Sequence, residues 1–66
     1  MILSAATHEK IREEITHYPH ARGALLFALH AARDETGGLN REIFAEVGEI
    51  FGMRAGEVAE TFPSGL

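Results

Sequence analysis

The sequence predicts an all-α protein, a small bundle of four helices spanning about 4–17, 19–36, 41–51 and 55–61. Three observations carry that expectation. Apolar residues recur at helical spacing along nearly the whole chain, with almost no alternating run that would suit a strand. The sharpest interruptions are Gly37-Gly38 and the prolines at 19 and 63, which cut the chain into pieces of helical length. Finally, 66 residues are enough for one small domain and no more.

Each helix has its own start and stop signals. In the first, the Ser4 hydroxyl can cap free amides, and Ile11, Ile15 and Tyr18 follow at i, i+4 and i+7 as one narrow apolar stripe. Pro19 disfavours helical geometry at Tyr18, and its fixed φ suits the first position of a second helix. That second helix is the most apolar segment. Leu25, Leu29, Ala28, Ala32 and Ala21 share one face with Leu26 on its edge, while Ala24, Phe27 and Ala31 lie on a second side that must meet another helix or another protein. Asn40 is a good cap for the third helix, and Glu42 suits its dipole. Ile43, Phe44, Val47, Ile50 and Phe51 then give it a clean amphipathic pattern, closed by Gly52 in the left-handed conformation with Met53 folded back. The fourth helix is short, turns Val58 and Phe62 inward, and is stopped by Pro63-Ser64-Gly65.

Composition narrows the function classes. There is no cysteine, so no disulfide, thiolate metal site or iron–sulfur ligand can come from these residues. No apolar run is long enough for a membrane span, and the first residues lack the basic and apolar regions of a signal peptide, so the expected location is the cytoplasm without direct membrane insertion. The formal charge is −4, and Lys10, Arg12, Arg22, Arg33, Arg41 and Arg54 stand singly. Nucleic-acid binders concentrate positive charge on one face, so nucleic acid is not the expected partner.

The stretch VGEIFGMRAGEV, residues 47–58, has the spacing of a DNA-binding helix-turn-helix, with Gly48, Gly52 and Val58 as its small, glycine and apolar positions. Any short helical corner needs the same geometry, so the pattern specifies packing first. A groove-reading helix would also expose Arg, Lys, Asn or Gln, whereas the fourth helix offers Arg54, Glu57 and Glu60. The four histidines do not assemble a zinc site. His17 and His20 are separated by Pro19, His8-Glu9 lacks a second histidine one turn on, and His30 near Asp34 reads as a surface hydrogen bond. They are expected to be solvated or at the edge of the core. Glu42, Glu46 and Glu49 read as a solvated acidic stripe, or as a docking surface for a basic partner. No serine or threonine has a base and an orienting acid nearby in sequence, and no Gly-rich phosphate loop exists, so an independent enzyme is not expected.

Taken in order, Tyr18-Pro19, Arg22, Ala24-Leu25-Leu26, Leu29, Gly37-Gly38, Phe51-Gly52, Glu57-Val58 and Thr61-Phe62 form a pattern covering nearly the whole chain. The pattern resembles the N-terminal helical region of the family of thioredoxin-like [2Fe–2S] subunits of bacterial NADH-quinone oxidoreductase. That region is shared with the gamma subunits of NAD-dependent formate dehydrogenases and the diaphorase subunits of hydrogenases. Two departures stand out: Phe27 occupies a position that is often proline in that family, and Arg54-Ala55-Gly56 replaces a proline-rich helix start. In the family a thioredoxin-like domain with four cysteines follows and holds the [2Fe–2S] cluster, which a chain without cysteine cannot do.

The resemblance therefore implies a helical docking piece alone, without catalytic, cofactor-binding or metal-binding residues. FMN and iron–sulfur clusters would belong to the rest of the complex. Its implied partner is the flavin- and NADH-binding subunit. Surplus apolar surface on so small a chain places the contact on the second side of helix two and the exposed edge of helices three and four, at Arg22, Phe27, Ala31 and Phe62. Two other readings remain: a small helix-turn-helix DNA-binding regulator, and a self-associating domain that buries its leftover apolar side as a homodimer.

Overall fold

The computed structural model describes residues 2–61. It is all-α, with four helices in chain order: α1 (Ala5–Ile15), α2 (Ala21–Thr36), α3 (Arg41–Phe51) and α4 (Ala55–Thr61). α1 packs on α2, α2 on α3, and α3 on α4. One core joins them, built from Leu3, Ile11, Leu25, Ala28, Leu29, Ala32, Ile43, Val47 and Val58. Ile15, Leu39, Phe44, Ile50, Phe51 and Met53 close its edges.

The caps explain the boundaries. The Ser4 Oγ accepts the Thr7 N–H at 3.2 Å, which satisfies one of the free amides that open α1. Leu3 precedes that cap and His8 lies four positions into the helix, the two positions of a hydrophobic staple, and both are buried. In α3 the Asn40 Oδ1 accepts the Ile43 N–H at 2.9 Å. Gly37 and Gly52 end α2 and α3 with φ of 83° and 70°, a left-handed conformation that an L side chain resists. In the turn into α4 the Glu57 carboxylate accepts the Arg54 N–H at 3.0 Å. Asn40→Ala should cost about 1 kcal/mol of stability, read as a lower urea midpoint with an unchanged slope.

The connector between α1 and α2 departs from expectation. Pro19 does not open α2; it lies outside the helix, and His20 is the capping residue, extended at φ −128° and ψ 141° with no side-chain cap. α1 also ends at Ile15 rather than near residue 17. Both shifts have one geometric cause. With the chain bending at Pro19 and His20, the Tyr18 ring turns back onto α2 instead of continuing the α1 stripe. The ring sits 6.1 Å from the Phe27 ring, and it lies so close to Gly23 that an added Cβ there would be 3.0 Å from its Cδ1. Ile11 and Ile15 keep their inward places, buried and half-buried, whereas Ala21 is exposed rather than on the core face.

The second side of α2 is partly covered from within. Ala24 is buried, and Phe27 is half-buried beside Tyr18, with the Lys10 ammonium of α1 over its ring at 5.9 Å. Lys10 is itself exposed, so its charge stays in water above that ring. Val58 fills the core as expected. Phe62, expected inside and at the partner surface, lies outside the described residues.

Candidate functional site

The Tyr18–His20 connector and the first turns of α2 enclose a groove of about 450 Å³, lined by Tyr18, Pro19, His20, Arg22, Gly23 and Leu26. Its shape follows from the sequence. Pro19 keeps the connector extended, Gly23 leaves the space that the Tyr18 ring occupies, and Leu26 stands one turn beyond Arg22. Tyr18 is 37% exposed, one of two large apolar side chains left this open among the described residues. Among the described residues, the only charged or titratable side chains lining the groove besides the tyrosine itself are Arg22 and His20.

Of the four expected partner residues, Arg22, Phe27 and Ala31 are described and all stand on α2, while Phe62 lies outside the described residues. Phe27 and Ala31 stand one turn apart, both half-buried, on the flank of α2 that faces α1. Arg22 is exposed on another edge, where it lines the Tyr18 groove and also a second groove with Ala21, Leu25, Met53, Glu60 and Thr61. Tyr18 and Leu26 are the groove residues that sequence reasoning misses. The signal that could find them is the Tyr-Pro pair ahead of an apolar helix, which forces an extended residue and turns its ring onto the next element.

A second feature differs from the sequence expectation. Glu46 is not part of a solvated stripe; it is 7% exposed, whereas Glu42 and Glu49 are exposed as expected. Its Oε1 accepts the Ile2 N–H at 2.6 Å, and its Oε2 accepts the Leu3 N–H at 3.0 Å. The ring of His8, itself 8% exposed, donates its Nε2–H to the same Oε2. Burial pushes the Glu46 carboxyl up, but the His8 ring and the Ile2 and Leu3 amides outweigh it and hold the group below its ordinary value.

Glu35 on α2 continues the pattern. Its Oε2 accepts the Ser4 N–H at 2.8 Å, and its Oε1 accepts the Thr7 hydroxyl and the Ser4 hydroxyl. The Thr7 and Ser4 hydrogen bonds also hold this carboxyl below its ordinary value. Three successive amides, Ile2 to Ser4, thus end on two carboxylates from two other helices, and Leu3 is pinned into the core between them. The carboxylates are consumed by this clasp, so its chemistry is structural.

Of the remaining histidines, His17, His20 and His30 are exposed, and His17 Nδ1 lies 3.8 Å from Glu14 Oε2. Among the described residues no group of three or more His, Asp or Glu side chains is placed to hold a metal ion. No helix among them is long and apolar enough to cross a membrane. At the α3–α4 corner the Met53 N–H donates to the Gly48 carbonyl at 2.8 Å, so the helix-turn-helix spacing serves a tight packing turn. Fold and surface together define a four-helix domain with a cation-rimmed apolar groove. No family model, curated protein or solved structure matches the chain.

Proposed function

We propose that the chain is a non-catalytic docking module of an NADH-linked redox complex, of the NADH-quinone oxidoreductase, formate dehydrogenase or diaphorase type. It works in the cytoplasm and binds the flavin- and NADH-binding subunit. In such complexes the cofactors carry the chemistry and protein supplies binding and orientation, so a helical bracket contributes without touching an electron. One observation supports the reading above the others. After the bundle has closed, α2 still offers Leu26, Phe27 and Ala31 half-covered, with the Tyr18 groove beside them. Apolar surface gathered in this way on a small domain marks a contact for another molecule. The order of motifs from Tyr18-Pro19 to Glu57-Val58 supports the choice of partner class.

Native mass spectrometry with the FMN-carrying subunit of such a complex tests the proposal, with a one-to-one complex expected. Ala31→Glu should weaken that complex at least about tenfold, because it places a carboxylate in a desolvated contact. Failure to bind any such flavoprotein subunit overturns the assignment.

A further inference from the structure

The groove between Tyr18 and Leu26 has an electrostatic sense opposite to that of the protein. The chain carries ten Asp and Glu against six Lys and Arg, yet among the described residues no carboxylate lines this groove. Two other surface grooves contain them: Glu60 in the one shared with Met53, and Glu42, Glu46 and Glu49 in the one beneath Ile2. Arg22 and His20 stand at the Tyr18 groove instead, and α2 begins there with no side-chain cap and no acidic residue in its first turn. The Arg22 guanidinium and the helix dipole act in one direction. The rest of the lining is the Tyr18 ring, Pro19, Gly23 and Leu26, with no buried donor that would order a small anion.

We infer that this groove receives an apolar side chain of a partner segment that carries carboxylates beside it, an acidic amphipathic peptide. The inference rests on the docking reading for the identity of the partner protein and sharpens it to a chemistry. The groove is open to solvent and about 450 Å³ in volume, so a side chain presented from another surface can reach it. Apolar contact with Tyr18 and Leu26 supplies affinity, and Arg22 at the rim selects the sign of the flanking charge. A second copy of the chain is a poor occupant, because a twofold contact of groove on groove sets the Arg22 of one copy against the Arg22 of the other.

The test is a nuclear magnetic resonance titration of the full chain with two synthetic helical peptides of identical leucine spacing, one flanked by glutamates and the other by lysines. The glutamate peptide should bind at least about tenfold tighter and shift the amides of Tyr18, Gly23 and Leu26. Arg22→Glu should reverse the preference. It should not unfold the chain, since an acidic residue in the first turn of α2 is favoured by the dipole. Gly23→Ala, which displaces the Tyr18 ring, should weaken the glutamate peptide while the thermal midpoint holds or rises.

Equal affinity for the two peptides overturns the inference. So do shifts confined to α3 and α4, or shifts that follow protein concentration without peptide. The flavoprotein subunit separates the two proposals. If Arg22→Glu abolishes the peptide preference but leaves the flavoprotein complex intact, the groove is not the docking site and the docking function stands. If the wild-type groove selects the glutamate peptide but no flavoprotein subunit binds, the docking function falls and the chemistry of the groove stands.

Discussion

Glu46→Ala should lower the free energy of unfolding by about 3 kcal/mol at pH 7, because it strips a charged acceptor from several buried donors at once. The Ile2 and Leu3 amides and the His8 ring all end on this carboxylate, and Leu3 and His8 are themselves buried. Removing the side chain leaves these donors to find water or stay unpaired, and the opening segment then loosens its hold on Leu3. Total stability in a domain of 66 residues is roughly 3–10 kcal/mol, so the loss is a large fraction of it. Glu46→Gln should fall between the two proteins. It keeps one acceptor oxygen but turns an NH₂ toward the clasp, where the Ile2 and Leu3 amides can only donate and the His8 ring must change tautomer to accept.

The pH dependence separates this account from a simple packing loss. The Glu46 carboxyl is held below its ordinary value in the folded chain, so its stabilisation is fully present above the unfolded-state value. It disappears as pH falls through the folded-state value, on the acid side of about pH 4.3. Glu35, shifted in the same direction by Thr7 and Ser4, adds to the same acid limb. Urea midpoints measured from pH 7 down to pH 3 should therefore fall more steeply for the wild type than for Glu46→Ala. Parallel curves, or an alanine variant as stable as the wild type at pH 7, would remove the clasp from the account.

The helices and most of the core are legible in the sequence because each depends on residues close together along the chain. Ser4 and Asn40 cap the helices they precede, Gly37 and Gly52 end the helices they follow, and Ile43, Val47 and Ile50 repeat at the interval that turns them to one side. Glu46 is illegible for the opposite reason. On a helical projection it lies at the border between the acidic side of Glu42 and Glu49 and the apolar side of Ile43 and Ile50. A border residue is buried only if something covers it, and the cover here is a segment 43 positions earlier. Helical periodicity carries no information about a partner that distant. The local trace of the clasp is Leu3 ahead of the Ser4 cap, an apolar residue that needs a site and whose neighbouring amides need acceptors.

The groove is half legible by the same criterion. Tyr18-Pro19 announces an extended connector, and the apolar character of α2 announces a flank in search of cover. Which flank stays open depends on how α1 folds back. The Lys10 ammonium stands over Phe27, while the Tyr18 ring beside it stays the more exposed of the two. Phe27 is the natural choice from sequence because its ring is large.

Gly48→Ala should destabilise the domain by about 2 kcal/mol, against the sign that helix propensity predicts. In an exposed helix interior, exchanging glycine for alanine gains about 1 kcal/mol. At Gly48 an added Cβ would stand 2.5 Å from the Met53 carbonyl oxygen and 3.2 Å from a methyl carbon of Val58. The first obstacle is backbone, so no rotamer change relieves it. The corner between α3 and α4 must open, which weakens the bond from the Met53 N–H to the Gly48 carbonyl and backs the buried Val58 away from the core. Gly56→Ala is the matched control. It too is helical, but an added Cβ there meets nothing within 4 Å, so the urea midpoint should hold or rise by the ordinary propensity gain. Opposite signs for the two substitutions would establish that the Gly48 spacing exists to let two helices cross closely, a reason for the helix-turn-helix pattern that requires no DNA. If Gly48→Ala instead raises the midpoint as Gly56→Ala does, the close crossing is absent in solution and the placement of α4 on α3 must be redrawn.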